Sequence, residues 1–499
     1  MQIVAASRRK LTAVARETID PQGDTVLEVV VNRPIGPEPF IVLDILSSMS
    51  SRIFCLLLLT IPVRAQLAEP QRQAIDKMVS ATITSRNLAG VSIAVVQNGR
   101  LAYTQAYGGA RPEMRYKIGS NSKQFTAAAV LLLAEAGKLS LNDKVSKYLP
   151  NLTRANEISL RQLLSHTAGY EDYYPLDYVS PLMARDITPQ GILDIYARKP
   201  LNFEPGTAWQ YSNTNFIAGG LIVEKVSGQR LYDFLKKRVF VPLGMKSAID
   251  ADLQPWEKKD AAPHTKFALG PLRPVAPEGI GWLFAAGALA MNAGDLALWD
   301  ISLLNGSVLK PASMKELTTE VKLKNGSGTG YALGLSVSNK DGHRRWAHGG
   351  GTSGFVSSNV TLPDDKIAIT VLTNQDGPGA GPIVSEIERI LLPPKADPEA
   401  AASLAGMRKL FDGLRRGELD RSMLTGDANA YFSEQVITDF TNSLREVGEV
   451  TEFSQTNMSL RGGMTSRAFS IKTATKALTL STFEKPDGKV DQFLIYAAR

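Results

Sequence analysis

Three short stretches of this chain carry residue types whose spacing suits acyl chemistry. The first is Ser120-Asn121-Ser122-Lys123. A serine and a lysine three residues apart at a helix start stand one turn apart on the same face. A serine hydroxyl is a weak nucleophile without an adjacent base, and a desolvated lysine amine can serve as that base. The helix N-terminus adds backbone N–H groups and a dipole that favours developing negative charge. The tetrad recurs at Ser7–Lys10, so alone it is better read as an N-capping serine with a surface lysine. The second stretch is Tyr211-Ser212-Asn213. A phenol near an ammonium would have its pKa, ordinarily about 10, lowered and could then pass protons between nucleophile and leaving group. In isolation it also reads as a core tyrosine in a turn. The third is His348-Gly349-Gly350-Gly351, directly after a strand-like stretch containing Trp346. Glycines there let a substrate backbone come close to a strand edge. The N–H of Gly351 can donate to an oxyanion. A glycine-rich turn is the plainer reading. Lys324-Asn325-Gly326 and Lys340-Asp341-Gly342 compete for the role but have the composition of turn tips.

The elements around these stretches follow from patterning. Val91–Val96 is rich in β-branched residues and runs into Asn98-Gly99, a strong hairpin signal, before Leu101–Tyr103. Ser120–Ala136 is rich in Ala and Leu, apolar nearly all round, and closed by Gly137, which predicts a buried helix. Pro- and Gly-punctuated helical segments continue to about residue 310. Strands are predicted again at Arg345–Ala347, Phe355–Leu362 and Lys366–Leu372. Late strands that rejoin an early hairpin around a helical middle make an α+β layered architecture. Pro393–Pro398 has linker composition. Beyond it, helices are predicted at Ala400–Arg416 and Glu434–Val447, then strands at Ala468–Lys472, Leu478–Glu484 and Val490–Tyr496. The expected domain map is therefore 66–392, a linker at 393–399, and a small α+β domain at 400–499.

Taken together, the three stretches resemble the serine β-lactamase and penicillin-binding protein superfamily. Their order and spacing suit its class C branch, with the related esterases and D-amino-acid peptidases. The flanking phrases Leu163-Leu164-Ser165-His166-Thr167-Ala168-Gly169 and Ala286-Gly287-Ala288-Leu289 fit as well. The resemblance covers roughly residues 70–392. It implies a β-lactamase/transpeptidase-like fold, an antiparallel sheet flanked by helices plus a helical region. It implies Ser120 as nucleophile, with Lys123 and Tyr211 sharing the general-base and general-acid work in an order left open. Asn213 would bond Lys123 or the substrate, His348 and Gly350 would line the substrate strand, and Ser120 and Gly351 N–H groups would form the oxyanion hole. Class C β-lactamases carry Lys-Thr-Gly where this chain has His348-Gly349-Gly350, and a histidine is mostly uncharged at pH 7. The expected activity is therefore acyl-enzyme hydrolysis of esters, amides or lactams. Esterase or D-amino-acid or DD-peptidase action on small-molecule or cell-wall-like peptide substrates is favoured over efficient β-lactamase action. A non-catalytic sensor or scaffold of the same fold is the competing class. The C-terminal segment resembles small cone-shaped domains of the nuclear-transport-factor-2 type.

Bulk properties narrow the class further. The chain has 499 residues, 44% hydrophobic and 21% charged, with a formal charge of +7. The basic residues are dispersed, which argues against nucleic-acid binding. The four histidines show no metal-ligand spacing, and the single cysteine, Cys55, allows neither a disulfide nor a cysteine metal site, so no metal or cofactor is expected. Cys55 sits in the apolar run Ile53–Val63, preceded by Met49-Ser50-Ser51-Arg52 and followed by Arg64-Ala65. That order predicts a signal peptide over 49–65, cleaved near Ala65, and export to the periplasm or medium. The run is too short for a transmembrane anchor, which needs about 20 residues. Residues 1–48 show no coherent element and read as an over-extended start.

Overall fold

The computed structural model describes residues 12–19, 25–32, 66–174, 178–268, 270–392, 399–461 and 463–498. The expected signal peptide at 49–65 and residues 393–398 of the expected linker lie outside them. One correction concerns the N-terminus. Strands β1 (Thr12–Ile19) and β2 (Thr25–Asn32) pair antiparallel, in a unit separate from Arg64–Arg499, where the sequence suggested no element. Both are rich in β-branched residues, which favour extended backbone.

In the larger unit, helix α1 (Glu69–Arg86) leads to the hairpin of β3 (Gly90–Gln97) and β4 (Arg100–Gly108). Asn98 and Gly99 turn it with φ of 54° and 70°, the paired left-handed conformations that a two-residue hairpin turn requires. Helices α2 (Ser122–Glu135), α3 (Asn213–Ser227) and α4 (Ala293–Asn305) belong to the helical middle. Strands β5 (Ser336–Lys340), β6 (His343–Thr352), β7 (Phe355–Leu362) and β8 (Ile367–Thr373) then return, and β8 pairs with β3. Helix α5 (Ala380–Leu391) closes this part. β3 and β8 are buried almost end to end because both faces of the sheet are covered. One apolar core joins the sheet to the helical middle and includes Phe125, Phe216 and Trp299; a second, on the opposite face, seats α1 and α5.

The C-terminal segment has a core of its own, built around Phe411, Phe432, Phe453 and Phe469. Its helices α6 (Ala400–Arg416) and α7 (Glu434–Arg445) pack on strands β9 (Val450–Arg461), β10 (Met464–Thr473), β11 (Ala477–Glu484) and β12 (Val490–Ala497). β9 meets β5 through the single register pair Lys340–Ser459. The result is one antiparallel ten-stranded sheet in the order β12-β11-β10-β9-β5-β6-β7-β8-β3-β4.

A buried carboxyl group ties α4 to this sheet. Asp300 Oδ1 accepts from Asn359 Nδ2 at 2.6 Å and from the Thr361 hydroxyl at 3.1 Å. Oδ2 lies 3.3 Å from Thr370 Oγ1, whose own proton goes to Asn359 Oδ1 at 2.7 Å. A hydroxyl has one proton to give, so the ring closes only if Oδ2 itself carries a proton to Thr370. Burial pushes the Asp300 carboxyl up to about 7, in the same direction.

Candidate active site

Ser120 sits in a 3₁₀ turn, Gly119–Asn121, that feeds directly into α2. Side chains lock this turn to the sheet and to α4. Asn121 Nδ2 donates to Ser357 Oγ at 2.8 Å, and Ser357 Oγ donates to the Ile118 carbonyl at 2.7 Å. Gln124 Nε2 donates to Asn121 Oδ1, and Trp299 Nε1 donates to Gln124 Oε1, each at 2.9 Å. β6 runs so close to the turn that its residues must be small. A Cβ on Gly350 would stand 2.0 Å from the Ile118 carbonyl oxygen, and one on Gly119 would stand 2.8 Å from the Gly351 nitrogen. Gly119 also adopts a φ of 52°. Gly351, by contrast, faces open space and lines the cavity in front of Ser120.

Lys123 is fully buried, and its Nζ has three neighbours: Ser120 Oγ at 2.9 Å, Asn213 Oδ1 at 2.7 Å and the Ala286 carbonyl oxygen at 2.9 Å. Burial lowers its pKa to about 7, opposed by the negative charge of Asp172. A neutral amine has two protons and one lone pair. Two of its neighbours are carbonyl oxygens, which can only accept, so the two protons go there. The lone pair is left facing the Ser120 hydroxyl.

Asn213 is held in turn by Asp172, which accepts from its backbone N–H at 2.9 Å and from its Nδ2 at 3.0 Å. Asn213 bonds Lys123 and also lines the cavity in front of Ser120. Sequence reading missed Asp172, which lies in Tyr170-Glu171-Asp172-Tyr173 without a motif to mark it.

Tyr211 lies beside this pair, its ring centroid 4.9 Å from Lys123 Nζ. The expected lowering of its phenol does not occur. Burial drives the pKa up, and a hydrogen bond with Ser120 opposes that only in part, so Tyr211 keeps its proton. His166 supports it from below. Its ring centroid is 4.3 Å from that of Tyr211, its Nδ1 accepts from the Ser212 N–H at 3.2 Å, and its carbonyl accepts from the Gln210 N–H at 3.0 Å. Burial and the Lys123 charge hold the imidazole far below its ordinary pKa.

His348 takes a place other than the expected one. It is buried, and neither it nor Gly350 is among the cavity-lining residues. Its Nδ1 donates to the Gly349 carbonyl at 2.5 Å, which leaves Nε2 to accept from the Tyr331 hydroxyl at 2.8 Å. Burial pushes its pKa down to about 3. Both nitrogens are spent on these bonds, and the ring lies against an aromatic wall of Tyr331 and Tyr211, whose centroids are 5.9 and 6.2 Å away. Lys324 and Lys340 are also absent from the lining, and Lys340 pairs with Glu388 at 3.4 Å.

The cavity itself has a volume of about 840 Å³, with Ser120, Tyr211, Asn213 and Gly351 along one side. Lys266 is its single Lys or Arg among the described residues, and the ammonium donates to the Arg86 carbonyl at 2.7 Å. Ser120, Lys123 and Tyr211 thus stand together at the start of α2, and Ser120 and Tyr211 line the cavity.

Comparison with known proteins agrees. The family model described as Beta-lactamase matches residues 75–389. The chain belongs to the beta-lactamase family. It is a serine hydrolase of the β-lactamase and penicillin-binding protein superfamily, with that superfamily's fold. Penicillin-binding protein 4* of Bacillus subtilis (strain 168) is 26% identical over 326 residues, covering 59% of this chain and 70% of that protein. Protein flp of Staphylococcus aureus (strain N315) is 30% identical over 331 residues, covering 62% of this chain; the match spans 64% of flp, just under two thirds. Among solved structures, a D-stereospecific amidohydrolase from Streptomyces sp. aligns with a TM-score of 0.57 at 27% identity, over 63% of this chain and 98% of its own. The octameric penicillin-binding protein homologue from Pyrococcus abyssi shares the fold over 86% of this chain and 96% of its own, with a TM-score of 0.58 at 19% identity. Among the described residues no helix is long and apolar enough to cross a membrane.

Proposed function

We propose that this family member hydrolyses uncharged ester and small amide carbonyls through an acyl-enzyme on Ser120. The observation that carries the reading is the hydrogen count at Lys123: once neutral, its lone pair faces only the Ser120 hydroxyl. Lys123 takes the Ser120 proton as Oγ bonds to the substrate carbonyl carbon. The N–H groups of Ser120 and Gly351 receive the oxyanion, where one such donor is worth about 3 kcal/mol. Tyr211, still protonated, gives its proton to the leaving group as the carbonyl–leaving-group bond breaks, and recovers one from Lys123. Water then enters by the reverse route and releases the acid.

Preference for uncharged substrates rests on the lining. His348 is buried outside the lining, and Lys266, the one Lys or Arg of the lining among the described residues, already donates to the Arg86 carbonyl. A fluorophosphonate probe is expected to label the wild type covalently and to leave Ser120→Ala unlabelled. Neutral p-nitrophenyl esters are expected to exceed carboxylate-bearing cephalosporins in kcat/KM. Absence of Ser120-dependent labelling would sink the hydrolytic reading; a preference for the anionic lactam would sink the substrate class. The Met49–Ala65 pattern further supports export with cleavage near Ala65, checked by N-terminal sequencing of protein secreted by its native host.

A further inference from the structure

Two large aromatic side chains that line the Ser120 cavity are mostly exposed. Phe267 is 72% exposed and Tyr178 is 63% exposed, yet both line the same cavity as the nucleophile. They come from different segments, one preceding α3 and one following it. Scattered exposed apolar residues are ordinary, but exposed aromatics converging on one opening are not. Val179, Val275, Leu283 and Phe355 line the same cavity. The apolar side chains and the reacting centre thus share one concave surface, the form small-molecule sites take.

We propose that Tyr178 and Phe267 form an outer apolar subsite that takes an uncharged alkyl chain or ring carried by the substrate several atoms from its scissile carbonyl. The inference rests on the hydrolytic reading above and extends it from a bond type to a substrate shape. The two ionic side chains in the lining already have partners in the protein: the Lys266 ammonium donates to the Arg86 carbonyl at 2.7 Å, and Asp376 accepts from the Gly354 N–H at 2.6 Å. An apolar chain lying against these rings would shed water together with the ring faces it covers. Each methylene so covered should raise kcat/KM about fourfold until the chain passes the rim.

Two ester series locate the chain: p-nitrophenyl acetate through octanoate lengthens the acyl side, and methyl through octyl acetate lengthens the leaving-group side. In the wild type, kcat/KM is expected to rise at least tenfold from the shortest to the longest member of one series. In Phe267→Ala and Tyr178→Ala the long-to-short ratio should fall toward one, and Phe267→Leu should restore part of it. A second measurement is independent of turnover: calorimetric titration of Ser120→Ala with octanamide and with acetamide, where octanamide should bind at least tenfold tighter. Octanamide preference without any ester turnover would leave the subsite standing and remove the hydrolytic reading. Equal binding of the two amides, or a chain-length slope unchanged by Phe267→Ala, would overturn the subsite.

Discussion

Lys123 loses its charge near neutrality because burial costs more than its three oxygen neighbours return, and this sets a pH dependence for the reaction. The base form accumulates as pH rises through about 7, so kcat/KM is expected to climb on that limb and level off above it. Asp172 opposes the shift, since its negative charge favours the ammonium. Asp172→Asn keeps an oxygen for the Asn213 N–H and Nδ2 donors but removes the charge. Its acid limb should therefore move to lower pH, read from a kcat/KM profile between pH 5 and 9. An unmoved limb would mean that another group titrates. At this scale the sequence was legible wherever two reacting groups sit one helical turn apart, as Ser120 and Lys123 do. Asp172 was not legible, because its partner Asn213 is distant in the chain and no local spacing links them. His348 misled for a related reason. A sequence shows that a histidine precedes the glycines but not that Tyr331 waits to take its ring.

The packing of β6 against the Ser120 turn separates two adjacent glycines that look equivalent in sequence. A methyl group on Gly350 would run into the Ile118 carbonyl and Ser357 Oγ, both fixed, whereas one on Gly351 would meet nothing. Gly350→Ala is expected to cost about 1–3 kcal/mol or more, as overpacking does, with a lowered Tm and a large loss of activity. Gly351→Ala should melt close to the wild type. Equal Tm values for the two variants would show that the strand can move away from the turn. Most elements followed from patterning: the Asn98-Gly99 hairpin, the all-round apolar α2, and the strands that rejoin β3. β9 did not, because Phe453 is its one well-buried side chain and register shifts at Val450/Glu452 and Gln455/Asn457 break the two-residue alternation. A strand without alternation has no periodic signature to read.

For the whole molecule, Asp300 links the fold to pH in the opposite sense to a paired surface carboxylate. Its folded pKa of about 7 lies above the ordinary value near 3.9, so the native state holds a proton that the unfolded chain gives up. Its contribution is fully present below about pH 4 and is lost as pH rises to about 7. Asp300→Asn would supply the donor to Thr370 permanently and remove this loss. The variant's Tm, measured from pH 4 to 8, is expected to pull ahead of the wild type's as pH rises and to hold its lead above 7. A constant gap across that range would mean that Asp300 stays ionised throughout. The ring joins α4 to β7 and β8, so the loss would be felt across the central sheet and not at one margin.

The hydrogen bond between Tyr331 and His348 bears on how such a site can change over generations. A lysine at position 348 would bring an ammonium into the aromatic wall and deprive the Tyr331 hydroxyl of its acceptor at the same time. A single codon change toward a carboxylate-binding cation therefore passes through a disfavoured intermediate, and the useful order is to replace Tyr331 first, opening room for a longer side chain to reach the cavity. Selection for anionic substrates would meet a valley here that selection among uncharged ones never crosses. Under the proposed function, the preference for uncharged substrates would be guarded by a contact one layer behind the residues that line the cavity.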